Sequence, residues 1–202
     1  MRREIYNLKD NCVNVSLTED IDTSTFSCGN KDIDDYFHYE ALFYEKEMMS
    51  RNYAFLTETG ADIVSAFSLC NSSIDMRYLP SPTKNRLQRK IPNLKRRRSY
   101  PALLIGRLGV NEKFAGLGVG SQVIDYIKCM CISSTNRGIC RYIVVDAVNN
   151  LKIIQFYIKN GFTMLFGSED DERTGSGIPH NATLKTRKMY CDLRLWLSSH
   201  NL

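Results

Sequence analysis

Ala102-Leu103-Leu104-Ile105-Gly106-Arg107-Leu108-Gly109-Val110 and, a few residues on, Gly116-Leu117-Gly118-Val119-Gly120-Ser121 decide how this chain is read. The first run is strongly apolar and predicts a buried strand over 102–110. The second is a glycine turn. The Val119–Cys131 stretch that begins within it carries Val123, Ile124, Ile127, Met130 and Cys131 along one helical face. A strand, a glycine turn and a helix in that order outline an anion site. The N-terminus of a helix holds unpaired amides and about half a positive charge. Glycines let the backbone approach a phosphate and adopt angles that a Cβ forbids. The residues thus imply a phosphorylated ligand and nothing narrower. The Walker pattern G-x-x-x-x-G-K-S/T is absent. A Rossmann turn would place G-x-G-x-x-G directly after the strand, whereas Asn111–Ala115 intervenes here and the spacing is G-x-G-x-G. On this string alone, a glycine-rich helix start with no ligand stays open.

Upstream, Val13–Thr18 alternates like a short strand. Cys28-Gly29-Asn30 then breaks the chain ahead of a helical run from Asp32 to Met49, where Ile33, Tyr36, Phe37, Ala41 and Tyr44 recur at helical spacing. Tyr53–Thr57 and Ile63–Leu69 predict a hairpin around Glu58–Asp62. Downstream, Tyr142–Ala147 reads as a strand, Leu151–Asn160 as a helix, Phe162–Phe166 as a strand and Thr186–Leu195 as the last strand. The stretch at about 168–181, acidic and then glycine-bearing, reads as a mobile surface loop. No repeat or low-complexity tract interrupts this order. Strands interspersed with helices give an α/β (α+β) fold class with one mixed sheet covered by helices. A length of 202 residues suits a single domain spanning 1–202.

The net charge of +5 is local. Lys84, Arg86, Arg89, Lys90, Lys95, Arg96, Arg97 and Arg98 put eight cations into fifteen residues without one acid, while the remaining 19 of 27 bases face all 22 acids. Pro80, Pro82 and Pro92 bracket this basic insert at about 84–98, which limits it to loops and short helix. Such a run suits a phosphate-bearing partner bound in a salt-sensitive way, and a solvated charged loop would look the same. No stretch approaches the roughly 20 apolar residues of a membrane span, and Met1–Asp10 lacks the apolar core of a signal peptide. Cys12, Cys28, Cys70, Cys129, Cys131, Cys140 and Cys191 are scattered and form no C-x-x-C pair. These features together lead to the expectation of a cytoplasmic protein with reduced thiols, no membrane and no metal. His38, His180 and His200 are dispersed, and there is no G-x-S-x-G elbow.

Leu108-Gly109-Val110 with Ala115-Gly116-Leu117-Gly118-Val119-Gly120 resembles the coenzyme A segment of the GNAT acetyltransferase superfamily. The family pattern there is Q/R-x-x-G-x-G/A, and Ala115 stands where Gln or Arg is usual. Asn150-Leu151-Lys152-Ile153-Ile154-Gln155-Phe156-Tyr157-Ile158-Lys159-Asn160-Gly161-Phe162 resembles the family's N-x-x-A-x-x-F/L-Y-x-K-x-G-F run, with Ile153 in place of the small residue. The resemblance implies a GNAT-like, mostly antiparallel central sheet flanked by helices, with acetyl-CoA as co-substrate and no metal. It places the pantetheine arm on the backbone of Leu108, Gly109 and Val110. Ala115, Gly116, Leu117, Gly118, Val119, Gly120 and Ser121 would hold the pyrophosphate, with Asn150 also in the cofactor set. Tyr157 matches the general acid for the leaving thiolate. A phenol of pKa about 10 can protonate a thiolate whose acid lies near about 8.5. The oxyanion falls, by the same resemblance, to a backbone N–H at the end of the Leu108–Val110 strand. No convincing base is visible; Glu112 and Asp146 lie near the expected strand ends. An acceptor α-amine of pKa about 7.7 would need less help than a lysine near about 10.4.

Phe26-Ser27-Cys28-Gly29-Asn30-Lys31-Asp32-Ile33-Asp34-Asp35-Tyr36-Phe37 resembles the F-x-C-G-x-x-x-L-D-x-aromatic opening of one GNAT branch. Gly106-Arg107-Leu108-Gly109-Val110 resembles that branch's G-R-L-A-V strand. The branch comprises the tRNA-acetylating toxins of bacterial toxin–antitoxin pairs, which act on the α-amine of aminoacyl-tRNA and are silenced by a ribbon-helix-helix antitoxin. The resemblance implies a tRNA substrate met by the eight cations, an antitoxin partner and a homodimer. Two other readings fit the same residues. One is a housekeeping N-acetyltransferase acting on a small amine or a protein N-terminus, and the other is a non-catalytic module that binds coenzyme A or RNA.

Overall fold

The computed structural model describes residues 5–134 and 140–200. The first four residues of the Met1–Asp10 segment and the side chain of His200 lie outside what it describes. In chain order the elements are α1 (Leu8–Asn11), β1 (Cys12–Ser16), α2 (Lys31–Asp35), α3 (Ala41–Lys46), β2 (Arg51–Thr57), β3 (Ile63–Asp75), α4 (Ser81–Leu87), β4 (Ser99–Val110), α5 (Val119–Ile132), β5 (Tyr142–Val148), α6 (Leu151–Lys159), β6 (Thr163–Met164), α7 (Glu169–Ser176), β7 (Thr186–Asp192) and α8 (Leu193–His200). The seven strands form one sheet in the order β1-β2-β3-β4-β5-β7-β6. The pairs β1–β2, β2–β3, β5–β7 and β6–β7 are antiparallel. This is the mixed, mostly antiparallel sheet with helices that the resemblance implied. Two compact units make up the chain, Met1–Asn71 with Ile105–Met130 and Ser72–Leu104 with Cys131–Leu202, and the division falls inside β3, β4 and α5.

The first unit has a core of Leu17, Phe26, Tyr36, Phe37, Ala41, Ala54, Ile63 and Ala66. The helical run expected over 32–49 is not one regular helix. It passes from α2 through a π-helical turn, Tyr36–Glu40, into α3. The wider turn coincides with Tyr36 and Phe37, both buried. The Tyr36 hydroxyl shares hydrogen bonds with Ser50, Asn52 and Ser68 at 3.0–3.2 Å, so the tertiary packing of one ring favours a local departure from α-helix.

The second unit buries Ile74, Met76, Leu79, Leu87, Tyr100, Ala102, Tyr142, Leu165, Phe166 and Tyr190 together. It corrects two sequence expectations. The stretch 168–181 is largely α7, not a loop. Ser168 caps it by accepting from the Asp171 N–H at 3.1 Å, and Gly177 closes it with φ 68°. The four acids of its first turn, Glu169 to Glu172, suit the positive end of a helix. The acidic composition that suggests a loop is thus a helix-start signal. The final strand ends at Asp192 rather than Leu195. The Asp192 carboxylate accepts from the Arg194 N–H at 3.1 Å and starts α8.

Glu172 on α7 is buried and accepts from Arg187 Nε at 2.7 Å and from the Lys188 N–H at 2.6 Å. Glu172→Ala would leave the Arg187 guanidinium buried without its anion. Unfolding free energy measured in denaturant is expected to fall by about 3–5 kcal/mol. A decrease below about 1 kcal/mol would show that α7 does not depend on this pair.

Candidate active site

β4 delivers Leu108, Gly109 and Val110 to its C-terminal end, where Asn111 turns the chain. Asn111 is buried, its N–H donates to Val64 O and its Nδ2 to Ile63 O, both at 3.0 Å. Sequence reading misses Asn111 because a lone Asn after a strand carries no motif. Gly109 has a packing reason as well. A Cβ there would meet Phe26 Cζ at 2.9 Å and the Cys28 side chain at 3.1 Å. The run that opens at Phe26 and the strand therefore meet at one point.

After a single 3-10 turn over Glu112–Phe114, Gly116 and Gly118 take φ of 76° and 82°, which residues with a Cβ rarely adopt. The Ala115 and Leu117 amides turn inward, donating to Glu112 O at 3.2 Å and Phe114 O at 3.4 Å. They shape the turn rather than face outward. The first bond of α5 runs from the Gln122 N–H to Gly118 O. Gly118, Val119, Gly120 and Ser121 thus have amides with no intrahelical acceptor. Four adjacent donors at the positive end of a 14-residue helix are suited to a pyrophosphate. The small side chain of Ala115 takes nothing from this arrangement, since the donors are backbone.

In the second unit, Asn150 caps α6, its side chain accepting from the Lys152 N–H at 2.9 Å. Tyr157 lies a little under two turns on. Its half-buried ring packs edge-on against Phe156 and Phe162, with centroids at 5.1 and 5.3 Å. Gly161 at φ 81° lets the chain double back, and the Phe162 N–H returns to Tyr157 O at 3.0 Å. Among the described residues nothing hydrogen-bonds the Tyr157 hydroxyl. Burial pushes its pKa up to about 12, so the phenol keeps its proton throughout the physiological range.

No protein-family profile matches the chain. A tRNA-acetylating toxin of Mycobacterium tuberculosis is 27% identical over 141 residues, covering 70% of this chain and 78% of the toxin. The chain is thus similar to a tRNA-acetylating toxin. The same fold is seen in solved structures. AtaT complexed with acetyl-methionyl-tRNAfMet superposes with TM-score 0.71 at 19% identity, covering 94% of this chain and 99% of that one. A tyrosine-to-phenylalanine mutant of KacT gives 0.66 at 17%, with 94% and 99% covered. AtaTR bound with AcCoA gives 0.65 at 20%, with 95% and 99% covered.

Two cations of the basic insert are tied to the fold. Lys84 Nζ donates to Arg77 O at 3.1 Å, and Arg86 donates to Met164 O at 3.3 Å while lying 5.7 Å from the Tyr190 ring centroid. Arg89, Lys90, Lys95, Arg96, Arg97 and Arg98 are exposed, and among the described residues no carboxylate pairs with any of the eight cations. The backbone below them is fixed: the Met76 N–H donates to Arg98 O at 2.8 Å and Tyr142 Oη to Leu87 O at 2.6 Å.

The second unit also holds a cavity of about 230 Å3 that no sequence pattern announces. Ile74, Leu79, Leu104, Leu165, Phe166 and Met189 supply its apolar wall, and its charges are Asp75, held by Arg77, and the pair Asp146 and Lys188. These two face each other across β5 and β7 and pair at 3.0 Å. Asp146 is therefore engaged by a cation. Glu112 accepts from Ser27 Oγ at 3.2 Å and sits against Gly29. His38 Nε2 bonds Phe26 O at 2.8 Å. Among the described residues no group of His, Cys, Asp or Glu could hold a metal ion, none of the seven cysteines forms a disulfide, and no helix is long and apolar enough to cross a membrane.

Proposed function

We propose that this chain is a GNAT acetyltransferase that uses acetyl-CoA to acetylate the α-amine of aminoacyl-tRNA. The acceptor rests chiefly on one observation: a run of cations, six of them with exposed side chains that no other group engages among the described residues, on a chain similar to a tRNA-acetylating toxin. The amides of Gly118–Ser121 hold the pyrophosphate, and the edge of β4 at Leu108–Val110 lies along the pantetheine arm. A neutral α-amine attacks the thioester carbonyl. A backbone N–H at the end of β4 donates to the oxyanion as the tetrahedral centre forms. When that centre collapses, the C–S bond breaks and Tyr157 Oη gives its proton to the thiolate, then regains one from solvent. The proton shed by the new amide nitrogen goes to solvent, in keeping with an acceptor that is partly neutral at pH 7.

The cavity of the second unit is suited to the aminoacyl side chain. At about 230 Å3 it is smaller than typical drug-sized pockets of about 300–1,000 Å3 and fits one amino-acid group. Its apolar wall favours apolar side chains, because a charged one would lose its hydration there. The decisive experiment mixes the protein with labelled acetyl-CoA and methionyl-, leucyl-, aspartyl- or lysyl-tRNA, with free amines in parallel. Label is expected in aminoacyl-tRNA, at least about tenfold faster for the apolar pair. Label confined to free amines would refute the tRNA acceptor, and label in neither pool would leave a binding module. Equal rates for all four aminoacyl groups would refute the role of the cavity.

A partner protein is part of this reading. A structure of an AtaT mutant bound to the C-terminus of the antitoxin AtaR is among those this fold matches. A ribbon-helix-helix antitoxin, a homodimer and a cytoplasmic location go with one acetyltransferase domain of this kind, and seven cysteines without a disulfide suit that location.

A further inference from the structure

We infer that Gln122 is a positioning residue that sets the pyrophosphate turn through the chain segment Ile5–Leu8, an inference that rests on the acetyl-CoA reading above. Gln122 lies on the first turns of α5, outside both family-like motifs. Its carboxamide is used at both ends. Nε2 donates to Tyr6 O at 2.6 Å, and Oε1 accepts from the Leu8 N–H at 2.9 Å. The segment held in this way lies on the glycine turn. The Tyr6 N–H donates to Leu117 O at 3.0 Å, and the Tyr6 ring packs edge-on against Phe114 with centroids 4.9 Å apart. Ile5 Cγ2 comes within 3.5 Å of where a Cβ on Gly118 would stand.

Peptide geometry sets the consequence. In a trans peptide unit the carbonyl and the N–H point in opposite directions. Tying Leu117 O to Tyr6 therefore aims the Gly118 N–H away from the segment. Gly118 is the first of the four amides the helix leaves unpaired. Glycines flank Leu117 on both sides, and glycine accepts either sign of φ at little cost. Nothing in the turn's own covalent structure prevents the Leu117–Gly118 peptide from flipping. The Tyr6 amide prevents it, and Gln122 holds Tyr6 in place. The turn meets its anion already organised, so less ordering entropy opposes binding.

The test uses two acetyl donors, acetyl-CoA and S-acetylpantetheine, of which the second has no pyrophosphate. Gln122→Ala removes both bonds to the segment, and Tyr6→Pro removes the N–H that holds Leu117 O. Each is expected to raise KM for acetyl-CoA about three- to tenfold, with kcat and the KM for S-acetylpantetheine unchanged. Thermal unfolding identifies a variant that fails to fold, and the other variant then carries the test. If the KM values for both donors rise together, Gln122 serves general stability and the inference is overturned. Unchanged KM for acetyl-CoA in both variants overturns it as well. Titration of the unaltered protein with coenzyme A separates the two claims. Absence of binding there refutes the acetyl-CoA reading and this inference with it, whereas normal binding by wild type and variants alike refutes only the inference.

Discussion

Tyr157→Phe is expected to lower kcat for acetyl transfer by about a hundred- to ten-thousand-fold, the usual contribution of a positioned general acid, with coenzyme A affinity unchanged. The substitution removes one oxygen from a ring whose packing against Phe156 and Phe162 does not involve it. Fold and cofactor binding should survive. A pKa near 12 makes the phenol a weaker acid than one in water, but the burial that raises it acts on a thiolate leaving in the same surroundings in the same direction. The pH dependence has a definite sign. A general acid works in its protonated form, so a pKa raised to about 12 defers the decline of activity to beyond about pH 10. The rate should climb as the acceptor α-amine gives up its proton near about pH 7.7 and then stay level. Unchanged turnover in the variant would remove Tyr157 from the mechanism, and a descending limb near about pH 9 would assign the acid to another group.

Replacing Arg96, Arg97 and Arg98 with Ala is expected to weaken tRNA binding strongly. The slope of log affinity against log salt should become shallower by about 2–3, close to one unit for each phosphate no longer neutralised. These three belong to the six cations that no carboxylate or carbonyl engages among the described residues, so removing their side chains disturbs little inside the fold. The backbone bonds at this point, Met76 N–H to Arg98 O and Arg97 N–H to Tyr100 Oη, survive a side-chain change. Binding should weaken across tRNAs of different sequence, because phosphate contacts position without reading bases. An unaltered salt slope would move the RNA site elsewhere. Lys84 and Arg86 are expected to matter less to RNA, since the first donates to Arg77 O and the second is held by Met164 O and the Tyr190 ring.

Much of the fold is legible in the sequence because hydrophobic periodicity and turn chemistry act locally. β4, the glycine turn, α5 and α6 all fall within a few residues of where the pattern puts them. The departures have physical causes. α7 reads as a loop when its acids and glycines are weighed by composition, whereas Ser168 at its start and Gly177 at its end are capping residues. The π turn at Tyr36–Glu40 is invisible, since what favours it is a hydroxyl cluster from Ser50, Asn52 and Ser68, distant in sequence. The predicted strand over 162–166 shrinks to Thr163–Met164, because the Phe162 N–H is spent on closing the end of α6 at Tyr157 O, while the Leu165 N–H still reaches Lys188 O at 2.9 Å.

The sequence by itself determined the order of elements, the glycine turn ahead of α5, the tyrosine on α6 and the concentration of charge at 84–98. Each depends on residues near one another along the chain. Only the tertiary structure decided which turn amides face inward, that Asp146 is already paired with Lys188, that the second unit holds an apolar cavity, and that Gln122 binds Tyr6 and Leu8. The side-chain pairings among these join residues from 42 to 116 positions apart. Such pairings follow no periodicity, because what brings them together is the burial of the whole core rather than any local pattern.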